Sequence, residues 1–264
     1  MSSPQPTQPA TDPPADRAAG AVKAPVAAGF PAEETGLPAV RHLVVDATQK
    51  LLGDTITVSE EDWRAPSRLP GWSRGHVATH IARQADGMTR LVDWARTGRR
   101  RDMYASPEQR DAEIEAGAGR SGLDLQIDLD SSAGRLTAAF DSLDEADAWD
   151  AVVELRGGIE VPARLLPVAR LTEVVLHHVD LGAGFEVTDI DEQTAEWLLE
   201  WCSFRLRARD EFPLLHLKSR SGFRLTAGSS GDPREVTGST PLLLGWLTGR
   251  SRPEDLEGAD GLVL

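Results

Sequence analysis

The sequence predicts a mainly α protein, a bundle of four or five helices followed by a small C-terminal α/β domain. Between residues 37 and 209, apolar residues recur at helical three- and four-residue spacing in five segments joined by polar loops. Beyond Arg209 the texture changes to short apolar runs broken by Gly, Ser and Asp, the pattern of strands and turns. Residues 1–36 are rich in Pro, Ala, Ser and Thr, which reads as a disordered tail outside the fold. They hold no apolar run behind a basic end, so a signal peptide is not expected there. The expected organisation is a tail over 1–36, a bundle over 37–209 and an α/β domain over 210–264.

The first helix is read in "LPAVRHLVVDATQKLLGDT", ending at Gly53. The second, "SRGHVATHIARQADGMTRLVDWARTG", starts at the capping candidate Ser73 and stops at Gly98. A third, with a weaker pattern, lies in "LDLQIDLDSSAGRLTAAFDSL". The fourth, "ARLLPVARLTEVVLHHVDLGAG", places Pro167 in its first turn, where a missing N–H does no harm. The fifth is "DEQTAEWLLEWCSFRLRAR". Strands follow in "PLLHLKS", "GFRLTA" and "REVTG", then a short helix in "STPLLLGWLTGR" with Ser239 or Thr240 as cap, and a last strand in "GLVL". Some fifty residues form a marginal core, so this domain is expected to lean on the bundle.

Composition narrows the function. Acidic residues outnumber basic ones 42 to 28, for a formal charge of -14. Nucleic-acid binding draws on a basic surface, so DNA and RNA are not expected partners. No apolar run approaches the roughly 20 residues of a membrane span, so no membrane association is expected. The single cysteine, Cys202, cannot close an internal disulfide, which suits a reducing cytoplasm. It lies in the apolar helical run "EWLLEWCSF" and reads as a buried small residue rather than a nucleophile.

Two helices carry candidate chemistry. In the second, His76 and His80 are one turn apart behind a Pro-Gly-Trp turn. At 100° per residue, His80 falls in the half of the wheel marked by Val77, Ile81, Met88, Leu91 and Ala95, whereas His76 sits further round. In the fourth, Arg170, Glu173, His177 and Asp180 form one stripe on a helix otherwise made of Leu and Val. The pattern allows two readings. Either the stripe faces water as an ionic network, or it faces the bundle interior, where Glu173 and His177 offer an oxygen and a nitrogen to one ion. His178 lies on the opposite, apolar side.

"LPGWSRGHVATHIARQADGMTRLVDWARTG", "MYASPEQRDAEIEAGA", "LTEVVLHHVDLGAG" and "VTGSTPLLLGWLTGR", in that order, resemble the mycothiol-dependent maleylpyruvate isomerase family. The resemblance implies a DinB-like metal-binding bundle with a small C-terminal α/β domain. It implies zinc or a similar divalent metal held by His80, Glu173 and His177, with His76 supporting from the side. It further implies mycothiol as thiol cosubstrate: a thiolate adds to the maleyl double bond, the new single bond rotates, and loss of the thiol leaves the trans product. Arg250, in "LTGR", is the residue the family places on an anionic substrate and in catalysis. Arg110, among Glu108, Asp111 and Glu113, is a second clamp candidate, and Arg74 and Tyr104 are set aside. The long tail and the abrupt "GLVL" end depart from the family pattern. A mycothiol S-transferase acting on an electrophile, and a non-enzymatic metal-binding regulator, remain as alternatives. A monomer or weak dimer is expected.

Overall fold

A computed structural model describes residues 36–206 and 211–262. The tail read over 1–36 therefore lies, but for Gly36, outside the described residues, as does the end of the "GLVL" strand; Gly261 and Leu262 are in a turn and an irregular position. Eight helices form among the described residues. They are α1 Leu37–Thr55, α2 Glu60–Arg64, α3 Arg74–Thr97, α4 Pro107–Ala118, α5 Gly122–Ala146, α6 Leu166–Leu181, α7 Glu192–Leu206 and α8 Thr240–Leu247. A hairpin of β1 Val152–Leu155 and β2 Ile159–Pro162 precedes α6. The strands β3 Pro213–Ser219, β4 Arg224–Ala227 and β5 Ser230–Gly238 precede α8.

The helix ends follow local chemistry. The Ser73 hydroxyl accepts from the His76 N–H and Gly98 closes α3 at φ 69°. Pro167 sits in the first turn of α6, which ends on Gly182 at φ 62°. Helix α1 runs past Gly53 to Thr55, since no left-handed turn forms at that glycine. Helix α5 reaches Ala146, beyond the expected span, and stops where Asp147 takes a left-handed φ of 48°. Helices α2 and α4 and the β1–β2 hairpin were not expected. Each of the two helices is short and carries one large buried apolar residue, Trp63 and Ile114, so neither shows a stripe in the sequence.

Helix α3 packs along α5 and α6, and α1 along α6 and α5, so the four long helices close a ring. Helix α4 lies against α3. Helix α7 packs on α6 but also on α8 and β4, joining the bundle to a three-stranded sheet of order β4-β3-β5. In that sheet β3 pairs antiparallel with β4 and parallel with β5. One buried cluster runs from Val40 and Leu91 through Leu171 and Trp201 to Leu215, Val236 and Leu244, so the small sheet shares its core with the bundle. A second cluster (Leu51, Trp63, Val77, Ile81, Leu125, Val174, Leu181) fills one end of the ring. The polar residues of α3 and α6 fall where the two clusters meet. No described helix is long and apolar enough to cross a membrane.

Candidate metal centre and its cavity

The charged stripe of α6 faces the interior. Arg170 and Asp180 are 1% exposed and His177 5%, while His80 on the facing side of α3 is 3% exposed. His80 Nε2 lies 3.1 Å from His177 Nε2 and 3.2 Å from Glu173 Oε2, and His177 Nε2 lies 3.4 Å from the same oxygen. Ligands about 2.0–2.1 Å from a tetrahedral zinc would be about 3.3–3.4 Å apart. Two imidazole nitrogens and one carboxylate oxygen suit zinc or another borderline divalent ion, so this donor set fits the metal that the family resemblance implies.

The outer atoms of the triad are also held. His177 Nδ1 is 2.8 Å from Asp180 Oδ2, which leaves the Nε2 lone pair for the triad, the usual support for a ligating histidine. Arg110 Nη2 is 3.2 Å from His80 Nδ1. A guanidinium only donates, so in this arrangement the His80 proton sits on Nε2, and a cation at Nε2 would displace it. Arg170 donates to Ile81 O at 2.8 Å and to Gln84 Oε1 at 2.6 Å, tying α6 to α3 beside the triad.

Electrostatics follow the packing. Burial, together with His177 and Arg110, pushes His80 below its ordinary value against the pull of Glu173. Burial would raise Glu173, but hydrogen bonds from His177 and His80 outweigh it and hold the carboxyl well below its usual range. Burial opposes protonation of His177 too, yet Asp180 and Glu173 lift it to about 9. Without an ion, the proton on His177 thus supplies the positive charge that balances these carboxylates.

Each residue singled out in the sequence has a place. Trp72 of the Pro-Gly-Trp turn packs against His80 with ring centres 5.5 Å apart and stacks on His76 at 6.2 Å. His76 itself closes a capping box with Ser73 and meets Glu115 at 3.1 Å, supporting the start of α3. His178 turns to the other face of α6, stacked on Phe185 at 4.1 Å. Arg74 binds the Leu181 and Gly182 carbonyls that end α6, at 2.8 and 2.9 Å. Arg110 is buried beside His80, its guanidinium 5.8 Å from the Tyr104 ring centre. Arg250 pairs with Asp180 behind His177.

Above His80 and Glu173 opens a small, half-open cavity with about 40 Å³ of room for water-sized groups. Its wall carries Arg110, Arg156 and Arg205 with Tyr104, Gln84, Met88, Met103, Leu155 and Trp201; Arg250 is not among the lining residues. Burial pushes the Tyr104 hydroxyl up to about 12, so it remains a hydrogen donor. Arg156 and Arg205 escaped the sequence reading. Arg156 had a legible signal, a Gly-Gly pair between the alternating runs "VVEL" and "IEVP", with Gly157 and Gly158 at φ 89° and 79°. Arg205 sits in an apolar helix and had none.

Residues 44–182 match the family model described as the mycothiol maleylpyruvate isomerase N-terminal domain. Two solved structures also match. One is a mycothiol-dependent maleylpyruvate isomerase, the other a histidine-to-alanine mutant described by the same enzyme name. Each is 28% identical, with a TM-score of 0.78 over 88% of this chain and 97% of its own. No curated protein matches significantly in sequence.

Proposed function

The chain belongs to the mycothiol maleylpyruvate isomerase family, and from that premise we propose a metal-dependent isomerase. It would use mycothiol to turn maleylpyruvate, or a similar cis-unsaturated diacid, into the trans form. His80, Glu173 and His177 are the proposed metal ligands, and Arg110, Arg156 and Arg205 the proposed carboxylate contacts. One observation supports this most: two of the three convergent donors, His80 and Glu173, line a cavity whose wall also holds three arginines, in a chain of charge -14. An acidic surface repels dianions, so a cationic wall at this one place favours them there.

His80, Glu173 and His177 would hold a divalent ion, which would supply Lewis acidity and lower the pKa of a bound thiol. The chain's own residues bind and orient. Guanidinium forks match carboxylates and fix where the double bond lies. Met88, Met103, Leu155 and Trp201 supply the apolar part of the cavity wall. Tyr104 keeps its proton and can donate to oxygen bearing developing charge. Cys202 is buried and does not line the cavity, so the attacking thiol comes from the cosubstrate.

Zinc-loaded protein incubated with mycothiol and maleylpyruvate should accumulate fumarylpyruvate while the thiol is regenerated. Omitting mycothiol or adding a chelator should stop it. Failure to form the trans isomer, together with conjugation of mycothiol to a neutral electrophile, would replace the isomerase by the S-transferase.

A further inference from the structure

Arg250 was expected to reach the substrate, but all three of its guanidinium nitrogens bind protein. Nε meets Asp180 Oδ1 at 2.9 Å, Nη2 meets Asp180 Oδ2 at 2.5 Å, and Nη1 meets Thr248 O at 2.9 Å. The fork is aimed by its backbone. After α8, Gly249 takes a left-handed φ of 76°, and the Arg250 N–H closes on Gly245 O at 2.5 Å. A side chain at Gly245 would collide with Ser251 Oγ, its added carbon lying 2.1 Å away, so this turn is tightly built.

The carboxylate oxygen that Nη2 grips, Asp180 Oδ2, is the one facing His177 Nδ1 at 2.8 Å. The Asp180 backbone is pinned as well, its carbonyl accepting from the Arg68 N–H at 2.8 Å. Arg250 and Asp180 side chains are 7% and 2% exposed, so the pair lies out of water. A buried ion pair gains little net stability over apolar packing, so one kept here is better explained by the geometry it imposes.

We infer that Arg250 is a positioning residue: through its two-pronged grip on Asp180 it fixes the orientation of the His177 ring, and so the geometry of the metal site. The inference rests on the proposed metal triad. It makes the segment after α8 part of that site, although it contributes no ligand. Fixing the outer nitrogen of a ligating histidine is worth about 10- to 100-fold in metal affinity.

The test is cobalt(II) and zinc(II) binding to the full chain, by competition with a chromophoric chelator and by the visible cobalt spectrum. Arg250→Met and Asp180→Asn should each weaken binding about 10- to 100-fold and alter the cobalt bands, and the double variant should bind no more weakly than Asp180→Asn alone. Arg250→Lys keeps the charge, guards against misfolding, and should recover only part of the loss. Melting of the metal-free proteins separates this role from plain stabilisation, which would lower the midpoint and leave the cobalt bands alone. Wild-type affinity and bands in Arg250→Lys and Arg250→Met, or additive losses in the double variant, would overturn the inference. Wild-type protein that binds no metal, or a His80→Ala/His177→Ala variant that keeps it, would instead overturn the triad itself.

Discussion

Helices α6 and α7 pack against one another, and both place acidic side chains partly or wholly out of water. Along α6, Arg170, Glu173, His177 and Asp180 alternate in sign at three- and four-residue steps. Glu173 faces His80 and His177, and Asp180 faces His177 and Arg250, so both carboxyls are held below their ordinary values. On α7, Glu196 and Glu200 stand one turn apart with the same sign. Burial raises both, and for Glu200, with Glu196 beside it, to about 7. Loss of water raises the carboxyls of both helices, more on α6 than on α7, and the partners decide the direction of the shift. Where opposite charges converge on one point, the carboxylate stays ionised. Where they do not, the carboxyl is shifted above its ordinary value.

The sharpest way to break this contrast lies within α6, at two adjacent buried histidines. His177→Ala should abolish stoichiometric metal binding and cut turnover by roughly a thousandfold or more, since the ion is asked to supply several kcal/mol. His178→Gln should leave metal content unchanged, because that ring stacks on Phe185 on the opposite face. Metal analysis and turnover on the two variants decide it. Equal metal loss from both would mean that burial in α6, rather than convergence of donors, governs the site.

A smaller effect is expected in the cavity wall, where the arginines are the proposed carboxylate contacts. Arg156 lies half-buried on the β1–β2 hairpin, outside the bundle core. Arg156→Gln should raise KM for an anionic substrate about 10- to 100-fold, the worth of one charge-assisted hydrogen bond, with metal content intact. Unchanged KM would remove the hairpin from the substrate site.

Much of this was legible in the residues. Ser73, Gly98 and Pro167 marked helix ends by capping chemistry, and the turn beyond Arg209 into short apolar runs marked the sheet. The wheel separated His80 from His76, and the spacing put Glu173, His177 and Asp180 on one stripe. It could not say which way the stripe faced, because periodicity records which residues share a face and not what packs on it. The Arg250–Asp180 pair was out of reach for a related reason. Seventy residues separate the two, and only the α8 turn brings them together. Helix α4 lacked a stripe altogether, so the burial of Arg110 on it could not be read.

The smallest effect tests the other half of the comparison, at Glu200. Its folded value of about 7 lies above the ordinary 4.5, so between those pH values the folded chain keeps a proton that the unfolded chain has lost. Stability therefore falls as pH rises from about 4.5 through 7, and the full penalty is present above 7. The side chain is half-buried, and solvent screens it, so the penalty is about 1 kcal/mol rather than the full value of the shift. Glu200→Gln removes the titrating group and the repulsion from Glu196 while keeping the shape. Urea unfolding in chelator at pH 8 should show the variant more stable by about 1 kcal/mol, a rise of about 2–4 °C in Tm. At pH 4.5 and below the difference should shrink towards zero, because wild-type Glu200 is then protonated in the folded chain at little cost. A gain of the same size at both pH values would trace the effect to packing instead, and α7 would no longer count as the uncompensated counterpart of α6.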